Sequence, residues 1–374
     1  MQESTAFIGL DVHKDSIAVA VATQQGEPVA VGQIPSDKSA VQRMAQRLAG
    51  RHGQLCFAYE AGPCGYDLYR QLLSLGHSCI VIAPSLMPRL PGDHIKTDRR
   101  DAITLARLLR RGDLTAVWVP DPHHEAVREL VRCREDFKHV ERRCRQQVGA
   151  LLLRHSRCYG KATWTQEHHR WLLAQSFECR QTQMVFDHYM QSLAEAQERL
   201  TKLERQMEEA LESWSLSPLV RAYMAMRGVK LIAAMTYAAE LGDLSRFARA
   251  QELMAFVGLV PREHTSGLTR RRGSITKSGN RHVRRMLVES SWSCRHKPAI
   301  SPALRVRGSD ASDAVRAIAW KAQKRLHCKY HRMIARGKSA QTGITAVARE
   351  HLGFLWSICQ QVMKEQRSPA PTGK

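Results

Sequence analysis

Four acidic residues among the first 101 have the types and placement of a metal site that acts on a phosphate. Asp11 and Glu60 each follow a short apolar run, and Asp98 and Asp101 lie three positions apart where a helical pattern begins. Residues at that spacing share one face of a helix. Mg²⁺ takes oxygen ligands, and clustered carboxylates repel one another unless a cation neutralises them. The pattern therefore predicts one site for Mg²⁺, with Mn²⁺ able to replace it.

The same residues also fit an ordinary structural role. Thr97 or Asp98 could cap the helix that follows, because the first N–H groups of a helix need acceptors. Asp and Glu are common, so no single position is specific. Their order is more specific: a strand ending in Asp, a hairpin, a strand ending in Glu, and a helix carrying Asp-x-x-Asp.

Alternating apolar segments predict the sheet that would position these side chains. Five strands are expected, two of them joined by a hairpin turn, at residues 7–10, 17–21, 29–34, 55–59 and 78–83. Helices are expected at residues 39–50, 66–75 and 102–111. Strands that alternate with helices indicate a mixed α/β sheet. Ligands gather at the carboxyl ends of strands in such sheets, where Asp11 and Glu60 lie.

The middle of the chain predicts two long helices, at residues 125–153 and 180–214, with a turn at 156–166. The first is rich in arginine, which fits either phosphate contacts or a solvated face. The second has apolar residues at a nearly heptad spacing. It is interpreted as one arm of a helical hairpin or coiled coil, either packed within the chain or forming a dimer contact.

The most basic stretch of the chain runs from residue 258 to 285 and is rich in glycine and hydroxyl side chains. Arginines beside glycines suit a phosphate backbone, and a serine next to glycine can approach a phosphate closely. Ser266, Ser274 and Ser278 all qualify, as nucleophiles or as hydrogen-bond donors to phosphate. The predicted nucleic-acid contacts are Arg270, Arg271, Arg272, Lys277, Arg281, Arg284 and Arg285.

Charge and composition limit the function classes. The 374 residues carry 57 Lys and Arg against 35 Asp and Glu, a net charge of +22, which favours a polyanionic partner. The ten cysteines form no C-x-x-C pair, and we expect most to be buried in a reducing compartment. No apolar run approaches the roughly 20 residues of a membrane span and no secretory signal is recognisable, so a soluble cytoplasmic, nucleoid-associated protein is expected.

Two sets of motifs carry a family resemblance. Gly-Leu-Asp-Val-His-Lys at 9–14, Tyr-Glu-Ala at 59–61 and Lys-Thr-Asp-Arg-Arg-Asp-Ala at 96–102 resemble the DEDD transposases of bacterial insertion sequences, which are related to the Piv invertase. Gly-Leu-Val-Pro at 258–261, Ser-Gly at 266–267, Gly-Ser-Ile-Thr-Lys at 273–277 and Gly-Asn at 279–280 resemble that family's C-terminal transposase domain. The two sets occur in the family's order and together cover nearly all of residues 6–286.

The patterns together predict a fold of class α/β plus α, a mixed sheet followed by helical and coiled-coil segments. The resemblance implies that the sheet domain is RuvC-like, of the RNase H type. It implies that Asp11, Glu60, Asp98 and Asp101 are the catalytic, metal-binding acidic set, and that Ser266 is the nucleophile. It also implies double-stranded DNA as substrate, a guide (bridge) RNA as partner, and a homodimer or homotetramer.

The expected domains are a RuvC-like domain at 1–121 (extending to about 155), a helical linker domain at 122–217, a transposase domain at 218–296, and a basic helical extension at 297–374 whose end, 367–374, is disordered. Two other function classes stay open: a RuvC-like junction nuclease that uses only the acidic set, and a non-catalytic protein that binds RNA or DNA.

Overall fold

The computed structural model describes residues 5–84, 87, 97–266 and 269–367, with only the backbone described for 264–266 and 269–272. Its contacts divide the chain into two units, Met1–Val119 and Pro120–Lys374. The first boundary lies close to the expected one, while the finer division into four domains stays a prediction. The expected disorder at 367–374 lies almost wholly outside the described residues.

The first unit is built on a five-stranded sheet in the order β3-β2-β1-β4-β5. Its strands are β1 (Ala6–Val12), β2 (Ser16–Ala22), β3 (Val29–Pro35), β4 (Leu55–Glu60) and β5 (Ser78–Ile82). The first three pair antiparallel as a meander, and β4 and β5 run parallel to β1. Parallel neighbours need crossover connections, which the helices supply.

The helices of the first unit cover both faces of this sheet. They are α1 (Lys38–His52), α2 (Asp67–Ser74) and α3 (Asp98–Arg111). The apolar stripe of α1, with Val41 and Leu48, packs on the face that carries Ile8 and Leu10. The opposite face is lined by small alanines of β2, against which Ala102 of α3 packs. Small residues on both sides let α3 lie close to the sheet.

The second unit begins with a long helical pair. Helix α4 (Pro122–Arg154) packs along α6 (Arg180–Ser213), so of the two alternatives left open by the sequence the structure shows packing within the chain. The connection is more than the expected turn, because it contains α5 (Gln166–Leu173). Thr165 caps α5 by accepting from the His168 N–H, and Leu172 is buried among Leu151, Leu152 and Phe186. These contacts give the connection a small core of its own.

The rest of the second unit is a helical core with one small sheet. Its elements are α7 (Ser217–Tyr223), α8 (Leu231–Leu241), α9 (Ala250–Phe256), β6 (Pro261–Ser266), β7 (Thr269–Ile275), α10 (Arg281–Ser291), α11 (Pro302–Arg307), α12 (Asp313–Ala335) and α13 (Ala340–Arg367). Helix α13 contributes Val347, Leu352 and Leu355 to the main core. The segment expected to be an extension therefore packs within the same unit.

A mixed sheet followed by a mainly helical part confirms the predicted fold class. Among the described residues, no helix is both long and apolar enough to cross a membrane. All ten cysteines are free, but Cys79, Cys144, Cys294 and Cys359 are the buried ones. The expectation that most of the cysteines are buried is therefore wrong.

Candidate active site

Strand register brings Asp11 and Glu60 to neighbouring positions. The parallel pairing of β1 with β4 runs as far as Leu10 opposite Tyr59, so Asp11 and Glu60 are the next residues on adjacent strands. Side chains alternate between the faces of a strand. Asp11 therefore shares a face with Gly9, which lies against α3.

Gly9 sets the distance between α3 and the sheet. A Cβ atom at this position would lie 2.1 Å from the Ala102 carbonyl oxygen and 2.5 Å from the Ala106 nitrogen. Only a residue without a side chain permits such a close approach. Because the N-terminal turn of α3 carries Asp98 and Asp101, the glycine also fixes how near those carboxylates come to Asp11.

The start of α3 resolves the alternative roles of its polar residues. The helix begins at Asp98, and the Thr97 side chain is the cap, accepting from the Arg100 N–H. Asp98 and Asp101 therefore both lie in the first turn with their carboxylates not used as the N-cap. Negative groups are favoured at that end of a helix by its dipole. Asp98 is exposed and Asp101 is half-buried.

His13 joins this cluster, which the sequence did not predict. Its Nε2 lies 3.2 Å from Oδ2 of Asp11 and 3.4 Å from Oδ1 of Asp98. One potential ligand atom each from Asp11, His13 and Asp98 lies within 4.8 Å of the other two. Among the described residues, this is the group of His, Cys, Asp or Glu side chains close enough to hold a metal ion. Glu60 and Asp101 are outside that group. The signal was present in the sequence, because His13 is two residues beyond Asp11.

Neighbouring carboxylates and burial act together on the charge of Asp11. Burial raises the pKa of the Asp11 carboxyl, and the Asp101 and Asp98 carboxylates raise it further, while His13 acts in the opposite direction. A cation favours the ionised forms of such carboxylates. Carboxylate oxygens and one imidazole nitrogen at this spacing fit a divalent metal ion.

A groove of about 710 Å³ opens beside Asp98. It is lined by β2 and β3 residues, among them Ala30 and Gln33, and by Thr97 and Arg99 of the α3 end. Of the three clustered residues Asp11, His13 and Asp98, Asp98 lines this open groove. An extended polymer can lie in an open channel of this kind.

The predicted nucleophile lies at the end of a strand, where the sequence indicated a loop. Ser266 is the last residue of β6 and pairs with Thr269, the first residue of β7. Its side chain, and those of Arg270, Arg271 and Arg272, lie outside the described residues. The hairpin was missed because its strands are mostly polar and show no alternation of apolar and polar residues in sequence.

The base of this hairpin is locked by two glycines with positive φ. A Cβ at Gly258 (φ 74°) would lie 2.2 Å from the Ser278 carbonyl oxygen, and one at Gly279 (φ 70°) would lie 2.0 Å from that of Phe256. Backbone hydrogen bonds from Thr276 to Val260 and from Lys277 to Gly258 close the same junction. The segment before β6 and the segment after β7 are thus interlocked.

Arg284 adds side-chain contacts to this junction. Its guanidinium donates to the carbonyl oxygens of Val257, Ser278 and Gly279, at 2.9, 2.5 and 3.0 Å. Arg285 pairs with Glu135 of α4. These two predicted nucleic-acid residues therefore have partners inside the protein, although Arg285 is exposed, as are Lys277 and Arg281.

The buried carboxylate of Glu240 contacts Asn280, the residue that follows this junction. Glu240 of α8 accepts two hydrogen bonds from Arg132 at 2.7 and 2.9 Å, and Asn280 also donates to it. The Asn280 side chain in turn accepts from the His282 and Val283 N–H groups and caps α10. Helices α4, α8 and α10 are therefore connected through Glu240 and the side chain of Asn280, which directly follows Gly279.

Comparison with known proteins places both regions in one family. The model for DEDD transposases of the IS110 type matches residues 8–156, and the model for the transposase IS116/IS110/IS902 family matches residues 220–304. The first match contains the acidic residues and the second contains Ser266. The predicted family is therefore confirmed in both halves.

Individual relatives agree with the family models. A Sinorhizobium fredii protein named as a transposase is 47% identical over 95% of this chain and 89% of its own. The transposase for insertion sequence element IS1533 of Leptospira borgpetersenii is 30% identical over 87% of this chain and 96% of its own. These matches show that the chain belongs to the DEDD transposases of the IS110 family, enzymes that cut and recombine DNA and use a divalent metal ion.

Proposed function

We propose that this transposase moves an insertion sequence by cutting and rejoining double-stranded DNA through a serine–phosphodiester intermediate, directed by a guide RNA of the bridge type. The observation that carries the proposal is the meeting of Asp11, His13 and Asp98 within 4.8 Å beside an open groove. That cluster lies in one family-matched segment, and Ser266 lies in the other.

Asp11, Glu60, Asp98 and Asp101 hold the metal, with Mg²⁺ as the expected ion. The close approach at Gly9 and the helix start at Asp98 support this assignment, as does the raised pKa of Asp11. When bound, the ion supplies a Lewis acid that stabilises charge on the phosphate and on the departing oxygen. With an ion bound, the carboxylates would hold and orient it.

Ser266 acts as the nucleophile. Its Oγ forms a bond to the scissile phosphorus, its proton passes to a base, and the bond from phosphorus to the departing strand breaks. That strand leaves with a free hydroxyl after protonation. A hydroxyl of a second strand reverses the step and releases the serine. Dividing the exchange into two transfers avoids one difficult step and preserves the phosphodiester bond for rejoining.

The basic residues hold DNA and RNA without reading bases. Arg270, Arg271 and Arg272 follow Ser266 on β7, and Lys277 and Arg281 are exposed just beyond it. Contacts to phosphates position a protein but carry no sequence information. Pairing by a guide RNA supplies the specificity in such a system, and the net charge of +22 suits two nucleic-acid partners.

Strand exchange between two DNA partners needs several active sites, so we propose a homodimer or homotetramer that acts on nucleoid DNA in the cytoplasm. The long α4 and α6 pair offers a surface for such assembly. Its internal ion pairs, such as Arg134 with Glu204, stabilise the pair itself. The arginines of α4 therefore serve the fold as well as any contact with nucleic acid.

The test is to trap the covalent adduct. Purified protein is mixed with DNA that carries the element ends and with RNA transcribed from the element, and the reaction is stopped with detergent. Wild type should give a DNA-linked band on a denaturing gel. Ser266→Ala should abolish that band, Ser274→Ala should leave it, and Glu60→Ala should reduce it about 10²-fold or more, as removal of a charge-stabilising group does.

Other results would point to the other function classes. Cleavage that survives Ser266→Ala and leaves no adduct would indicate a junction nuclease. Tight, salt-sensitive binding without cleavage, unchanged by Asp11→Ala, would indicate a binding protein. An adduct that requires no RNA would remove the guide from the proposal while leaving the serine chemistry in place.

A further inference from the structure

His13 is the one member of the Asp11–Asp98 cluster with a nitrogen donor. Its backbone is held at the β1–β2 turn, because its N–H donates to the Ser16 carbonyl oxygen at 2.9 Å. The residues after it are tied to the end of β3, since Ser36 donates to the carbonyl oxygens of Asp15 and Lys14. The imidazole is thus carried on a fixed turn and not on a free loop.

The spacing around His13 fits a metal ligand as well as a hydrogen-bonded partner of Asp11. One imidazole N–H makes one good hydrogen bond, yet Nε2 faces Asp11 at 3.2 Å and Asp98 at 3.4 Å. Neighbouring ligands of an octahedral ion at about 2.1 Å lie about 3.0 Å apart. Both measured distances are within a few tenths of an ångström of that value, so small shifts suffice to accommodate an ion.

The type of donor atom bears on which ion the cluster selects. Mg²⁺ is a hard ion that takes oxygen ligands and dehydrates reluctantly. First-row transition ions accept imidazole nitrogen as well as carboxylate oxygen, with geometry and ligand type setting the selectivity. A cluster made only of carboxylates leaves Mg²⁺ and Mn²⁺ closely matched, and one imidazole in it favours Mn²⁺.

We propose that His13 is a direct ligand of the divalent metal and makes the site bind Mn²⁺ in preference to Mg²⁺. The inference rests on the metal site proposed above, and it adds a nitrogen donor to the acidic set. It also assigns a chemical role to a half-exposed residue that lies two positions beyond Asp11.

The experiment measures metal binding by the full-length protein without DNA. Free Mn²⁺ is followed by electron paramagnetic resonance, and Mg²⁺ is measured by its competition. Wild type should prefer Mn²⁺. His13→Ala should weaken Mn²⁺ binding about tenfold or more, a loss no smaller than that caused by removing a partner of a ligand, with little change for Mg²⁺. His13→Asp should shift the preference toward Mg²⁺.

A direct signature comes from nitrogen coupling to the bound Mn²⁺. Electron spin-echo modulation from ¹⁴N should appear in wild type and disappear in His13→Ala. The control His123→Ala removes an exposed histidine at the start of α4 and should change nothing. Since the His13 side chain is 51% exposed, its replacement leaves the core intact, and thermal melts verify folding.

The outcomes separate this inference from the proposed metal site. If Asp11→Asn leaves the binding of both ions intact, the metal site itself is wrong. If Asp11→Asn abolishes binding but His13→Ala keeps both the nitrogen modulation and the Mn²⁺ preference, the site stands and the role of His13 is wrong. Absence of nitrogen modulation in wild type would also overturn the role.

Discussion

The acidic site and the serine hairpin are held by their surroundings in different ways. Asp11 and Asp98 are far apart in sequence and meet because α3 lies close to β1 at Gly9. Ser266 sits on a short hairpin whose base is interlocked at Gly258 and Gly279. In the first region, the motif residues themselves are the proposed metal ligands. In the second, most motif residues around the serine are structural.

Two carboxylates illustrate the difference. Burial raises the pKa of Asp11, and neighbouring carboxylates add to the effect. Burial would also raise the pKa of Glu240, but Arg132 and Asn280 hold it below its ordinary value of 4.5. Glu240, whose pKa is lowered by its partners, ties helices together, and Asp11, whose pKa stays raised, is the candidate for function, as perturbed groups in clefts often are.

The largest expected effect is that of Gly9→Ala. The added methyl group would overlap the backbone of α3 at Ala102, so the helix must move away from the sheet with Asp98 and Asp101. We expect a stability loss of about 3 kcal/mol, at the upper end for overpacking, and DNA cleavage lowered about 10²-fold by misplaced ligands. Thermal melts and the adduct assay measure the two effects.

Gly50→Ala is the matched control, because this α1 glycine has nothing within 4 Å of an added Cβ. Alanine favours a helix over glycine by about 1 kcal/mol, so the control should melt slightly higher and cleave normally. Normal cleavage by Gly9→Ala would mean that the close approach of α3 does not set the geometry of the acidic site.

The second-largest expected effect is that of Gly279→Ala, at the base of the serine hairpin. Gly279→Ala adds the strain of a positive φ, about 1 kcal/mol, to an overlap with the Phe256 carbonyl. We expect it to lose the serine adduct while Mn²⁺ binding at the acidic site stays unchanged. Gly337→Ala has nearly the same φ, 71°, but open space around it, so it should show the strain alone and keep the adduct.

This pair of measurements decides whether the two regions are independent. If Gly279→Ala weakens metal binding as strongly as adduct formation, the interlocked glycines do more than hold the hairpin. If Gly279→Ala changes neither adduct formation nor metal binding, the base of the hairpin tolerates rearrangement, and Gly279 does not hold the serine hairpin in place.

The sequence predicted the first region well because regular burial leaves a pattern. The strands that carry Asp11 and Glu60 were placed to within a few residues, since buried strands are continuous apolar runs. The start of α3 was placed at 102 and not at 98, because the residues between are charged and show no periodicity. The position of His13 depends on a turn that has no apolar signal.

The second region was harder for the same reason. The hairpin that carries Ser266 has polar strands, so nothing in residues 261–275 distinguished strands from a loop. The internal partners of Arg284 and Arg285 join segments far apart in sequence, and charge alone indicated nucleic acid. Side chains that pair across such distances look identical in sequence to side chains that are free to bind a ligand.

A smaller effect tests whether the second unit, and not the acidic site, limits stability in acid. His351 of α13 is fully buried beside Ser291, and burial lowers the pKa of its ring from 6.5 to about 4. Below 6.5 the unfolded chain takes up a proton that the folded chain refuses, so stability falls as the pH falls from 6.5 to about 4. The loss should be about 2 to 3 kcal/mol between about pH 7.5 and about pH 4.5.

His351→Gln removes the titrating group and should lessen this acid loss by most of that amount. The measurement is urea unfolding followed by tryptophan fluorescence, which reports chiefly on the second unit because Trp118 is the one tryptophan of seven in the first. His123→Ala, which removes an exposed histidine, should keep the acid loss of wild type. An equal acid loss in His351→Gln would show that other groups carry it. Because neither variant alters the acidic site, Mn²⁺ binding near neutral pH should be the same in both, and a change there would mean that the two regions are coupled through α13.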